Sequence, residues 1–460
     1  MEITSLLGVL FWGFLLLYGV LMWALSPRAV TLGGFFHGED AEGRSAAPWL
    51  LTSSIFISWI FAKSVTNAAN LGATYGLVGG LAYATYWLSI PLAGFVIYRL
   101  RRRFGATGLV AFLTSHYGRA AALAFSAAIL IRLFNEVWSN TAVVGGYYGD
   151  AGSPAFIGAA LLFTAVTLAY SLRGGLRSSI LTDAAQAAIF VVALVWVLGL
   201  ILPQHSPREL VSTSEWALAT GVDLLLVAGL QVFSYPFHDP VLTDRGFICE
   251  ERSMRRAFVV AGVLGFFAIL AFSLIGVHAQ LDGLAASDNV PAALARSMGL
   301  LALLVMTVVM VSAAGSTLDS TFSSLARLAG RELPQLAGRD LGQKAIAVGM
   351  AVMVLFALLG NLPMLAGTDI LKATTISGTM VIGLAPVFVL HGLVRPTRLG
   401  FHLSFWTGLG LGVALTLGAI PAAWAIGTGK YALLLGTNLY GLLLCCAGYL
   451  LPGLLARGRA

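Results

Sequence analysis

The sequence predicts an all-α polytopic membrane protein with thirteen transmembrane helices, ten of them in a five-plus-five inverted-repeat core. Three observations lead there. Hydrophobic residues make up 58% of the 460 and charged residues only 10%, with mean hydropathy +0.88, whereas a soluble domain carries about 25% charged residues. Apolar segments close to the ~20 residues that a bilayer requires recur along the chain. Two of these segments, five spans apart, are interrupted by polar residues or prolines, a pairing that marks inverted repeats.

Spans are expected at 4–25, 47–71, 75–98, 120–147, 153–171, 178–202, 217–237, 257–279, 299–325, 344–361, 367–393, 401–426 and 431–454. An odd number places the termini on opposite sides. With the N-terminus outside, inner connections collect 21 of the 27 lysines and arginines, including Arg99, Arg101, Arg102, Arg103, Arg252, Arg255 and Arg256. The positive-inside rule therefore gives N-out and C-in, within a cell inner (plasma) membrane. The net charge of +7 is then a topological signal, and no nucleic-acid partner is expected. Residues 1–46 hold the first span and an inner loop, 47–393 the ten-helix core, and 394–460 two further spans. The first span carries Glu2 and no basic leader, so it is expected to be retained. Cys249 falls in an inner loop and Cys445 and Cys446 are neighbours in the last span, so no structural disulfide is expected.

The second span holds the most informative stretch, from Ile60 to Gly72. Lys63, Ser64, Thr66, Asn67 and Asn70 sit there inside an apolar segment. A lysine at membrane depth requires an internal partner. The polar run predicts a helix broken over Lys63–Asn70, with freed backbone groups lining a cavity. On the third span Tyr86 and Trp87 are candidates for solute contact. On the fourth, Arg132, Asn135, Glu136 and Asn140 share one helical face; Arg132 and Glu136 can neutralise each other there. Gln231 and Tyr235 lie in the seventh span, which breaks around Pro236 and Pro240. His238 and Asp239, between those prolines, read as a gate or hinge. Lys372, Thr374, Thr375 and Ser377 mark another irregular stretch.

No Gly-rich phosphate loop, HExxH helix, CxxC pair or nucleophile–base pair occurs. Enzymatic activity and transport driven by hydrolysis within this chain are not expected, and neither is a bound cofactor.

Two strings carry a family resemblance: GGLRSSILTDAAQ over 174–186 and SAAGSTLDS over 312–320. With thirteen N-out spans, they resemble the sodium:solute symporter family and its LeuT-type fold. The resemblance implies a sodium ion held between the broken first core helix and the eighth. Its ligands would be the hydroxyls of Ser316 and Thr317, the carbonyl of Ala313, and first-helix carbonyls near Ile60 and Lys63. Asp183 and Ser320 match positions that form or approach a second sodium site in some members. Asn67 matches a position close to the sugar-binding glutamine of family sugar transporters. Asp319 is expected to pair with Arg177 or Arg245.

Lys63 departs from the family pattern. It either replaces the coupling ion or points towards Glu136 and leaves the ion site intact. The implied function is sodium-coupled symport of a small polar solute by a monomer in lipid. The alternatives are a sodium-independent or proton-coupled carrier using Lys63, and a solute sensor without flux.

Overall fold

The computed structural model describes residues 2–284, 287–366 and 377–457, and their regular structure is helical. The chain opens with α1 (Glu2–Leu25), apolar on every side, and α2 (Leu32–His37), a short helix whose first turn is capped by Thr31. The bent pair α3 (Pro48–Ser58) and α4 (Ala62–Tyr75) follows. Next come α5 (Leu77–Ala84), α6 (Ser89–Phe104), α7 (Leu109–Tyr117) and α8 (Arg119–Gly145). Then α9 (Pro154–Ile201) leads to the short α10 (Pro207–Ser212), α11 (Val222–Gln231) and α12 (Pro240–Thr243). The second half contains α13 (Glu251–Leu281), α14 (Val290–Ser297), α15 (Leu300–Arg327), α16 (Leu333–Leu336) and α17 (Lys344–Leu359). A short helix Leu384–Val389 precedes the paired helices Arg398–Thr416 and Ala432–Arg457.

Among the described residues, nine helices are long and apolar enough to cross a membrane, or ten if α3 and α4 form one span. The 48-residue α9 measures about 72 Å, over twice the ~30 Å hydrocarbon thickness. It is broken at Gly175, whose φ of 53° and ψ of −132° are not helical. A Cβ there would lie 2.4 Å from the carbonyl oxygen of Phe35, so glycine allows both the turn and the approach of α2. The seventh expected span is divided into α11, a 3₁₀ turn at Tyr235–His238, and α12. The eleventh lies partly outside the described residues, as do Lys372, Thr374 and Thr375.

The second span breaks earlier than the polar run suggested. The interruption falls at Trp59–Phe61, and Lys63–Asn70 is helical within α4; the halves meet at 56°. Neither Gly nor Pro stands at the break. Phe61, the N-cap of α4, has no capping side chain. Instead Asn140 of α8 accepts the Ala62 N–H through Oδ1 at 3.1 Å. A tertiary cap supplies what local sequence lacks, so the position of the bend is set by α8.

α4 packs on α13 through glycines that leave no space for a side chain. A Cβ on Gly72 would sit 2.1 Å from the Ser273 carbonyl oxygen, and one on Gly276 would sit 1.7 Å from that of Ala69. Small residues let membrane helices approach in this way. α15 is enclosed, with every residue from Val309 to Leu328 buried, which places its polar 312–320 segment at the centre of the bundle.

Candidate transport site

The breaks in α3–α4 and α11–α12 bring three polar clusters into the interior. The first is a charge network. Lys63 Nζ lies 2.6 Å from Glu136 Oε1 and donates to Ser139 Oγ at 3.1 Å. Arg132, one turn before Glu136, pairs with the same carboxylate and, 2.9 Å away, with Asp239. Trp59 Nε1 donates to Asp239 at 3.0 Å, and Asn140 donates to Glu136 Oε2 at 2.9 Å. The Phe61 ring faces both cations, 5.1 Å from Lys63 Nζ and 5.2 Å from the Arg132 guanidinium. Two cations and two anions balance, which permits their burial. Of the two orientations open to Lys63, the structure has the one towards Glu136.

The second cluster lies where α3 ends against α15. Asp183, fully buried, accepts hydrogen bonds from Ser54 at 2.5 Å, Ser58 at 3.2 Å and Ser316. Thr317 Oγ1 donates within reach of two carbonyls, Ser58 at 3.2 Å and Ala313 at 3.1 Å. The first-helix carbonyl beside Thr317 is thus that of Ser58. Ile60 is buried at the break with its N–H on the Ile57 carbonyl, and Lys63 is turned to Glu136.

Arg245 enters this cluster, and the expectation that it or Arg177 pairs with Asp319 is corrected. Its Nη2 lies 3.0 Å from Asp183 and donates to Ser320 at 2.7 Å, while Nε donates to Ser54 at 2.7 Å. Asp319 is held by neutral hydroxyls: Ser179 at 2.7 Å, Thr182 at 2.9 Å and Tyr170 at 3.1 Å. Arg177 reaches the Gly38 carbonyl instead. The reason is position. Arg245 follows directly on α12 and is wholly buried against α3, so it meets the Asp183 side of α9 first.

The third cluster is made of amides and rings. Asn67 donates to the Tyr83 hydroxyl at 3.1 Å. Tyr86 donates to Gln231 Oε1 at 2.8 Å, and Gln231 Nε2 donates to Asn438 Oδ1 at 3.0 Å. Trp59, Tyr83, Tyr86, Trp87 and Tyr235 form a chain of tilted and edge-on ring contacts at 5.5–6.1 Å between centroids. Trp87 Nε1 and His238 Nε2 are buried with no hydrogen-bond partner among the described residues. Such orphaned groups beside hydrogen-bonding amides are what a polar solute satisfies. Asn70 stands apart: its amide donates to the Asp288 carbonyl at 2.7 Å and accepts the Val290 N–H at 3.0 Å, tying α4 to the segment before α14.

Several participants carried little signal in the sequence. Ser54 and Ser58 share an α3 face four residues apart, a spacing ordinary in any helix. Asn438 belongs to the last helix, outside the expected repeat, and only its contact with Gln231 reveals it.

The fold defines the class: a polytopic helical membrane protein with a LeuT-type fold. No protein-family model matches the chain. By sequence the chain is similar to sodium/glucose cotransporter 1 of Oryctolagus cuniculus, 27% identical over 191 residues, 40% of this chain and 28% of the relative. The counterpart of Sus scrofa is 30% identical over 199 residues, and sodium/glucose cotransporter 4 of Danio rerio is 26% identical over 192. These matches span under a third of the relatives' length. Among solved structures, a Na+-coupled sialic acid symporter superposes with a TM-score of 0.74 at 12% identity, covering 96% of this chain and 97% of that one. Mhp1, a nucleobase-cation-symport-1 family transporter, superposes with a TM-score of 0.58 at 15% identity, covering 91% and 95%. At those identities the likeness concerns the fold.

Proposed function

We propose that the chain is a secondary transporter that couples sodium to the movement of a small polar solute by alternating access. The observation that carries this reading is a charge deficit. In the hydroxyl-lined cluster between α3 and α15, Asp183 and Asp319 share one cation among the described residues, Arg245, which pairs with Asp183. With both carboxylates ionised, one positive charge is missing. The donors at hand are hydroxyls, carboxylates and carbonyls, a set that suits a hard monovalent ion. Ser316, Thr317 and the carbonyls of Ala313 and Ser58 would hold it, with Asp183 opposite. Arg245 then serves as the fixed cation beside Asp183 and Ser320.

The solute would dock against Asn67, Trp87 and the Tyr86–Gln231 pair. Because Lys63 and Arg132 are both neutralised, a neutral or zwitterionic solute fits this reading better than an anion. The finer architecture belongs to the same proposal: thirteen spans with N-out and C-in, a core over 47–393, and a monomer in the inner membrane.

The first arm of the test requires no solute. Thermal stability of the detergent-purified chain is measured against sodium, with choline as control. An ion that binds the folded state adds about 2.7 kcal/mol at a hundredfold excess over Kd. A sodium-specific rise that disappears in Ser316→Ala supports coupling. A proton also answers the charge deficit. No sodium response, with stability and solute flux following pH, replaces sodium coupling by proton coupling, and absence of flux in proteoliposomes under either gradient leaves a sensor.

A further inference from the structure

At the far end of α9, away from the clusters above, three side chains converge from two elements. His205 follows the short 3₁₀ turn that ends α9, while His278 and Asp282 lie four residues apart at the end of α13. His205 Nε2 is 3.1 Å from Asp282 Oδ1, and His278 Nε2 is 3.2 Å from Asp282 Oδ2. The imidazole rings are 4.9 Å apart, and the three ligand atoms lie within 4.8 Å of one another.

We infer that His205, His278 and Asp282 form a site for a borderline divalent transition ion such as zinc. The ion would staple the end of α9 to that of α13. The donor set gives the chemistry. Two imidazoles and one carboxylate favour Zn²⁺ or its neighbours over Mg²⁺ or Ca²⁺, which take all-oxygen ligands. The Asp282 carboxylate thus faces one imidazole with each oxygen, and bonds of about 2.0–2.1 Å require the ligand atoms to draw in from their separations of up to 4.8 Å. Three protein ligands leave the fourth position to water, and the Asp282 side chain is 37% exposed, so an ion has a path from solvent. His278 is 2% exposed and fixed, whereas His205, at 18%, sits on an irregular connection and can adjust.

Its place in the fold gives the site a consequence. α13 packs directly on α4 through Gly72 and Gly276, so an ion that tethers α13 to α9 restrains the helix behind the broken span. The inference does not rest on sodium coupling, and its test uses no transported solute.

The test titrates zinc chloride into the tag-free, chelator-stripped full chain in detergent, against a chromophoric zinc competitor. The expected result is one ion per chain, with affinity falling roughly tenfold or more in His205→Ala and in Asp282→Asn. Asp282 is exposed and His205 partly exposed on an irregular connection, so these variants are expected to keep the fold even if His278→Gln does not. Cobalt(II) should give the visible absorption of a tetrahedral nitrogen–oxygen site, lost in the same variants. No saturable binding, affinity unchanged in both variants, or an equal response to magnesium overturns the proposal.

Discussion

Lys63 Nζ and Glu136 Oε1 stand 2.6 Å apart inside the bundle, joining the second half of the broken span to α8. This contact turns the most unusual residue of the span away from Ser316 and Thr317. Each partner leaves an uncompensated charge when removed alone. Lys63→Met and Glu136→Gln should each destabilise the protein by about 3–5 kcal/mol. The double variant Lys63→Met/Glu136→Gln should recover part of that loss. Unfolding of the four proteins in detergent forms a double-mutant cycle, and strictly additive losses would show that the pair is not coupled.

Asn140 does two things at once, capping Ala62 and donating to Glu136. Asn140→Ala should therefore cost more than a surface cap, about 2–3 kcal/mol. Asn140→Asp keeps the cap acceptor but sets a second carboxylate against Glu136. It should be the worse substitution, and hydrogen exchange of the α4 amides should rise in both.

Thr317 offers its hydroxyl between the Ser58 and Ala313 carbonyls. Thr317→Val keeps the shape and removes the oxygen. It should leave stability in choline nearly unchanged and weaken the sodium-dependent rise, read as a higher sodium midpoint in the same thermal assay. An unaltered midpoint would remove Thr317 from the ion's ligands.

His37 is the last residue of α2, where burial, followed by Arg327 and Arg331, lowers its pKa from 6.5 to about 4. The folded state binds this proton more weakly than the unfolded chain. The stability linked to neutral His37 is thus complete above pH 6.5 and is lost as pH falls towards 4. His37→Gln should flatten the stability profile across that window, and an unchanged slope would assign it to other groups.

Gly276 faces the Ala69 carbonyl so closely that a methyl group has no space. Gly276→Ala should force α4 and α13 apart at a cost of about 1–3 kcal/mol or more. Gly283, with no described atom within 4 Å of its Cβ position but a φ of +74°, provides a contrast: alanine there meets backbone strain and no described neighbour. Thermal unfolding of the two variants separates crowding from strain.

What could be read from the sequence follows a physical division. Hydropathy and charge placement are properties of whole segments, and they outlined the helices. The 174–186 and 312–320 strings carry their polar residues within a few positions of one another, so the sequence offered Asp183, Ser316, Thr317 and Ser320 together as candidates. The break at Trp59–Phe61 was misplaced because its cause, the Asn140 amide, lies 78 residues away from Ala62 in the chain. Arg245 was paired with the wrong aspartate for a related reason: two carboxylates one helix apart look alike until α12 fixes which is nearer. Asn438 was missed because nothing local separates a buried amide that touches a site from one that does not.

The last helix is also pinned to α11 by Asp223, whose carboxylate accepts the Tyr431 N–H at 2.8 Å, while Asn438 holds Gln231. These bonds make the end of the described chain a structural partner of α11, not a passive tail. Cutting the chain before Tyr431 would remove one hydrogen-bond partner from each of Asp223 and Gln231, so a shortened chain would loosen α11 itself.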